Sequence, residues 1–166
     1  EELAELADGF DFAHFGRAPA HFDLAEVEQL NARLIHQLDF ARASDRLPKN
    51  ATEADWLLLR GNLAHVREFA DWSDVLDGDL PPLAKADEDR SFLADAAVTA
   101  SSLDWSADPW VTLTTALKAS SGRKGRTLFH PLRIALTGRD SGPEMALLLQ
   151  RIGRDRAVAR LQTAAA

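Results

Sequence analysis

Apolar residues along this chain recur mostly at intervals of three and four, the period of helices packed on one face, and the pattern predicts helices almost throughout. The stretch "FDLAEVEQLNARLIHQL" opens with Asp23 as a helix N-cap and Glu26 three residues on, in the manner of a capping box. Leu24, Val27, Leu30, Leu34 and Leu38 then follow at helical spacing. A second pattern, "ATEADWLLLRGNLAHVREFADW", starts at Thr52 with Asp55 at the third helical position and bends or breaks near Gly61. A third runs from Asp87 to Leu103 after the stop made by Pro81-Pro82. Pro109 opens a fourth, where its missing N–H does little harm, and this helix reaches about Ala119.

"SSGRKG" is the expected hinge before the C-terminal helices. Beyond it Leu128, Leu132 and Leu136 share a face and Gly138 closes the helix, while Pro131 inside the pattern predicts a kink or a local turn. Ser141 is expected to cap the next helix, with Pro143 and Glu144 in its first turn and Gly153 at its end. A short last helix is expected from Asp155 to Leu161, with Ala164 to Ala166 frayed. The dipeptides Asp8-Gly9 and Asp77-Gly78 fall at the ends of helical patterns, not between alternating runs, so they do not mark hairpins. The predicted fold is all-α, two small tandem helical subdomains over residues 1–103 and 104–166.

Charge divides the chain more sharply than its hydropathy. The first 121 residues hold 10 Lys and Arg against 23 Asp and Glu, while the last 45 hold 9 against 3. Clustered cations on a small module form the footprint of a polyanion-binding surface, and an acidic body repels stray polyanions elsewhere. With no cysteine, neither a disulfide framework nor a thiolate metal site is available. No apolar run approaches the roughly 20 residues of a membrane span, and "EELAELADGF" lacks the basic start and apolar centre of a signal peptide. A cytoplasmic protein with no membrane partner is expected.

Enzyme signatures are missing: there is no phosphate loop, no G-x-G-x-x-G, no G-x-S-x-G elbow and no H-E-x-x-H. Ser121 to Lys124 matches S-x-x-K, a tetrapeptide loose enough to arise by chance. His14, His21, His36, His65 and His130 show no zinc-pair spacing, and acidic runs such as Asp87-Glu88-Asp89 read as solvated helix starts. Trp56, Trp72, Trp105 and Trp110 are packing anchors more readily than base-stacking platforms, being remote in sequence from the basic block. No catalytic residue and no metal ligand is expected in this chain.

"GRKGRTLFHPLRIALTGRDSGPEMALLLQRIGRDRAVARL" resembles the C-terminal end of bacterial glutamyl-tRNA synthetases, with its P-L-R-x-A-L-T-G helix, Gly-Pro start and final L-x-x-I/L-G-[KR]-[ED]-R helix. "FGRAPAHFDLAEVEQLNARLIHQL" is similar to the segment that follows that family's catalytic signature loop. The family's H-I-G-H-like and K-M-S-K-like motifs do not occur here. The resemblance therefore implies an anticodon-binding region, a monomer, that holds tRNA while ATP and Mg serve a catalytic domain lying elsewhere. It implies that Arg133 contacts the anticodon loop, with Gly142 and Met145 where the following helix start meets unstacked bases. The bland alternative for Arg133 is a surface salt bridge. Arg123, Lys124, Arg126 and Arg139 are expected as sequence-independent phosphate contacts.

In "LLLRGNLAHVREF", Arg60 matches the first arginine of a family motif, and Asn62 stands where members that charge only glutamate tRNA carry a second. A neutral amide both donates and accepts, so the resemblance implies tolerance of glutamine as well as glutamate isoacceptors. A capping role for Asn62 after Gly61 is compatible with this. Two alternatives stay open: a free-standing helical RNA-binding relative, and a protein-interaction module with a basic tail.

Overall fold

The computed structural model describes residues 7–11, 13, 16, 23–80 and 89–166, and among them every regular element is helical. The Pro81-Pro82 stop, the start of the third helix at Asp87, and His14 and His21 lie outside the described residues.

Helix α1 spans Leu24–Gln37, and the Asp23 carboxylate accepts from the Ala25 N–H at 2.8 Å. Its apolar stripe does not face the body: Leu24, Val27, Leu30 and Leu34 are exposed. The seated face is the one carrying Asn31 and Ile35. Asn31 Nδ2 donates to the Ala64 carbonyl at 2.6 Å, His36 Nε2 lies 3.2 Å from the Leu63 carbonyl, and Ile35 is buried. Two directed hydrogen bonds therefore set the rotation of α1 against its own leucine pattern.

Short elements follow: α2, Phe40–Ala43, runs into a 3-10 turn at Ser44–Arg46. Helix α3, Glu53–Leu59, starts as expected, since Thr52 Oγ1 accepts the Asp55 N–H at 3.1 Å and donates to Asp55 Oδ2 at 2.7 Å. The break near Gly61 is a 3-10 turn, Arg60–Asn62. A longer 3-10 stretch, Val66–Trp72, begins where the Glu68 carboxylate accepts from the N–H groups of Ala64 and His65, and it leads into α4, Ser73–Leu76. Asp77-Gly78 ends this run, their N–H groups bonded back to Ser73 and Asp74.

The second half comprises α5 (Arg90–Ser102), α6 (Pro109–Ser121), α7 (Arg126–Thr137), α8 (Met145–Ile152) and α9 (Arg154–Ala165). Helix α5 lies along α9 and against α6, so its contacts run across residue 103. Leu117, Leu132, Leu136, Leu148 and Leu161, all fully buried, fill the space between these helices. The hinge is built from Gly122 (φ 68°), which closes α6, and Gly125 (φ 52°), which opens α7.

Pro131 lies inside α7, and no local turn interrupts the helix there. Its missing N–H would have gone to the Thr127 carbonyl, and the Arg123 guanidinium donates to that oxygen instead, at 3.3 Å. Ser141 does not cap α8, which begins at Met145. Gly142 (φ 147°) stands outside the helical region before Pro143, and the Pro143 carbonyl accepts from Arg133 at 3.0 Å, so no turn forms there. The tail is not frayed at Ala164, which is buried, because α9 runs to Ala165.

Three arginines of α8 and α9 converge on the end of α4. Arg151 holds Asp55 (Nε to Oδ1, 2.5 Å) and Asp77 (3.0 and 3.1 Å). Arg156 donates to the Leu76 carbonyl at 2.8 Å. Arg160 donates to the carbonyls of Asp74, Val75 and Gly78, and to that of Leu136 at the end of α7. Last-turn carbonyls lack helical partners and carry the negative end of the dipole, so cations are well placed there. Much of the C-terminal positive charge thus holds the two halves of the chain together.

Burial raises the Asp55 pKa, but hydrogen bonds from Arg151 and Thr52 outweigh it and hold the carboxyl below its ordinary value. Arg151→Ala would leave that carboxylate, 2% exposed, without its guanidinium, at a loss of about 3 kcal/mol in urea unfolding at neutral pH. A depressed folded pKa stabilises above the ordinary carboxylate range and loses that effect as pH falls through it. The gap between wild type and Arg151→Ala should therefore narrow below about pH 4. A gap independent of pH would refute the role given to Asp55.

Candidate nucleic-acid interface

Two clefts open toward the two ends of α7. The first, about 580 Å³, lies between Asn62, Leu63, Glu68, Asp71 and Trp72 on one wall and Arg139 to Gly142 on the other. Its second wall is fixed by the way α7 stops. Gly138 takes a left-handed conformation (φ 67°), and Thr137 Oγ1 donates to the Arg133 carbonyl at 2.7 Å while accepting the Arg139 N–H at 3.1 Å. The Arg139 guanidinium then lies 4.5 Å from the centre of the Trp72 ring and donates to the Asp71 carbonyl. Gly142 meets the edge of the same indole, and a Cβ there would collide with it. His130 Nε2 donates to Asp140 Oδ1 at 2.7 Å, tying the loop back to α7.

This cleft is not a phosphate seat. Glu68, Asp71 and Asp140 line it against one guanidinium. Burial raises the Glu68 pKa, but bonds from Ala64 and His65 keep it net below the ordinary value, so its charge is retained. Such a lining accepts hydrogen bonds from a neutral, donor-bearing group and repels a polyanionic backbone.

The second cleft, about 530 Å³, is lined by Asp89, Arg123, Arg126, Thr127, His130 and Pro131. Arg123 pairs with Asp89, lies 4.3 Å over the Phe92 ring and serves the Thr127 carbonyl, so it is largely occupied. Arg126 and Lys124 are exposed, and their side chains make no hydrogen bond or ion pair among the described residues. They sit together on a glycine-flanked helix start, a placement open to an anion such as phosphate.

The remaining sequence candidates face inward. Arg60 donates to the Leu38 carbonyl at 2.9 Å beside the Trp56 indole N–H, so it braces the end of α1 and leaves the cleft to Asn62. Arg133 is half-buried: Nη2 holds the Pro143 carbonyl, Nη1 is buried without a protein partner, and burial lowers its pKa. It is neither a surface salt bridge nor a free arm, but a prop under the Gly142-Pro143 loop. Met145 is the first residue of α8, so it lies at that helix start, but its side chain is 4% exposed and turned to the apolar face with Leu148, Leu149 and Ile152. The structure thus joins Asn62, Arg139 and Gly142 in one cleft and Arg123 and Arg126 in the other. It adds Trp72 and Glu68, whose only sequence signal was helical spacing and a helix start.

A family described as an anticodon binding domain matches residues 1–165. The glutamate–tRNA ligase 1 of Novosphingobium aromaticivorans is 53% identical over 160 residues, 96% of this chain and 36% of that protein. The glutamate–tRNA ligase 2 of Sphingopyxis alaskensis is 52% identical over 98% of this chain and 37% of its own length. The chain therefore spans about a third of the curated relatives it matches. A crystal structure of a glutamate tRNA ligase from Elizabethkingia meningosepticum in complex with its amino acid shares the fold, with a TM-score of 0.77 at 18% identity over 97% of this chain and 36% of that one.

Gly142→Ala tests the first cleft directly. The new Cβ meets the Trp72 indole at a backbone angle that side chains avoid, so a loss of about 1–3 kcal/mol in urea unfolding is expected. A change in near-ultraviolet circular dichroism should accompany it as the indole shifts. A variant as stable as wild type, with an unchanged aromatic spectrum, would mean that Gly142 does not sit against Trp72.

Proposed function

Because the chain belongs to the family of anticodon-binding domains, we propose that it is the anticodon-recognising part of a glutamate–tRNA ligase, with glutamate tRNA as its partner. The observation that carries this is the pairing of a neutral-group cleft (Asn62, Trp72, Arg139, Gly142) with unpaired exposed cations, Lys124 and Arg126. Single-stranded RNA is recognised in this way, through unstacked bases held by planar and amide groups while cations follow the backbone. Trp72 supports one face of the Arg139 guanidinium, and the other face is a platform for a base. Asn62 faces the base edge. Lys124 and Arg126 hold phosphates.

ATP-dependent transfer of glutamate belongs, in this reading, to the part of the relatives that this chain does not span. The same reading assigns ATP and magnesium to that other part. No described helix is long and apolar enough to cross a membrane. The reading places the protein with translation in the cytoplasm and requires a single copy.

Two substitutions separate backbone from base contacts. Lys124→Ala should weaken binding of every tRNA alike and flatten the slope of log affinity against log salt by about one unit. Salt-independent binding by the wild-type chain would instead favour a protein-interaction module.

Asn62→Arg should leave the salt response to other contacts and alter selectivity. An arginine has donors only, whereas the amide serves either polarity, so the wild-type chain should hold glutamate and glutamine isoacceptors with similar affinity. The variant should prefer the glutamate type by about 1–3 kcal/mol. Competition between the two purified tRNAs measures this, and a strong wild-type preference that the substitution leaves unchanged would exclude the role given to Asn62.

A further inference from the structure

The walls of the Asn62–Trp72–Gly142 cleft come from segments more than sixty residues apart, and one side chain joins their roots. Arg160 Nη1 donates to the Val75 carbonyl at 2.9 Å and to the Leu136 carbonyl at 2.8 Å. Its Nη2 donates to the carbonyls of Asp74 (2.8 Å) and Gly78 (2.9 Å). Asp74 and Val75 come two and three residues after Trp72, the floor of the first wall, and Leu136 comes three residues before Arg139 in the second. Little slack lies between, since Thr137 binds the Arg139 N–H and Trp72 leads straight into α4.

The group is poorly explained as a stabiliser alone. It is 7% exposed, its Nε is buried with no partner, and its four acceptors are carbonyls with no carboxylate among them. A buried cation of this kind is an inefficient way to hold a core. What a planar, rigid fork supplies is fixed spacing and angle between its acceptors, which a lysine ammonium does not reproduce.

We propose that Arg160 is the positioning residue of this cleft, setting the separation of its walls without touching whatever enters. The identity of the occupant rests on the function proposed above; the positioning itself does not. Loss of the fork lets the end of α7 shift relative to Trp72, so the Arg139 and Gly142 contacts to the indole loosen together.

The test uses this chain with Arg160→Lys, which keeps the charge, and Arg160→Met, which keeps the bulk. Leu117→Ala serves as a control, deleting a fully buried side chain of α6 that lines neither wall. The Gly142 Hα resonances, shifted by the Trp72 ring, report the wall spacing by NMR without any RNA. They should move toward ordinary glycine values in both Arg160 variants and stay in place in Leu117→Ala, whatever its thermal midpoint. Unchanged Gly142 resonances in Arg160→Lys would overturn the proposal. Should Arg160→Met fail to fold, Arg160→Lys decides alone.

A second arm titrates a glutamate tRNA transcript at a temperature where the variants are folded. Arg160→Lys should bind about tenfold more weakly, the effect of a loosened supporting shell, with the salt slope unchanged because phosphate contacts lie elsewhere. Wild-type affinity in Arg160→Lys, or an altered salt slope, would also overturn the proposal. If the Gly142 resonances move but the wild-type chain binds no tRNA, the functional reading fails while the positioning role stands.

Discussion

Three arginines from another part of the chain take up the main-chain carbonyls at the end of α4, that of Asp74 being shared with the Gly78 N–H. Arg151, Arg156 and Arg160 reach Asp74 to Gly78 from α8 and α9, and Arg151 also neutralises the buried Asp55 that starts α3. Carbonyls at a buried helix end need donors, and long guanidinium arms supply most of them here. The consequence is structural continuity. Asp55 and Thr52 fix α3, the 3-10 turn that follows carries Asn62, and α4 follows on Trp72. The arginines then join all of this to α7, which ends beside Arg139. Burial takes the Arg160 pKa down to about 10, with the nearby Arg156 adding to the effect and Asp79 opposing it. That leaves Arg160 a cation at neutral pH, as the dipoles of two helix ends require.

Helix starts were legible wherever a side chain caps its own backbone. Asp23 and Thr52 each accept a first-turn N–H, and Gly138 closes α7 in a left-handed conformation. Such signals are local, so they survive without knowledge of the fold. What failed was decided at a distance. At Pro131 no local turn forms, and sequence shows the lost N–H but not the guanidinium that replaces it from Arg123. Ser141 reads as a cap because nothing local shows that Arg133 takes the Pro143 carbonyl. The leucine stripe of α1 reads as a buried face, yet the chain seats the adjoining face, with Ile35 buried and Asn31 and His36 bonded, and leaves Leu24, Val27, Leu30 and Leu34 exposed.

The candidate site divides in the same way. Asn62, Arg139 and Gly142 occupy a common cleft because each sits on a turn whose direction its own neighbours fix: a 3-10 turn, a glycine stop and a glycine before proline. Arg60 and Arg133 carry long side chains, and the direction of a long side chain is set by whichever carbonyl it finds. Both found internal ones. Met145 was placed by resemblance near a helix start exposed to ligand, but the helix begins one turn later than the pattern suggested, and its first residue falls on the buried face. Charge asymmetry was a true signal with two causes, since part of the basic excess is internal.

Separating the two causes clarifies how an acidic chain, with a formal charge of −7, would hold a polyanion at all. The arginines that lock the halves together are screened by carbonyls and carboxylates and add little to the external field. Lys124 and Arg126, on a helix start between glycines, are among the exposed cations whose charge is left to the external field. On the function proposed above, the acid-lined cleft beyond α7 would repel backbone and accept donors from a base, so a strand would enter with its phosphates toward the hinge and a base toward Trp72. Affinity and selectivity then reside on different residues with different mechanical support. The cations are mobile and screened by salt, whereas the base cleft is held by a guanidinium fork, a hydroxyl and a glycine that tolerate little displacement. Loss of a cation changes how tightly any RNA is held; a shift of the cleft wall changes which RNA is held.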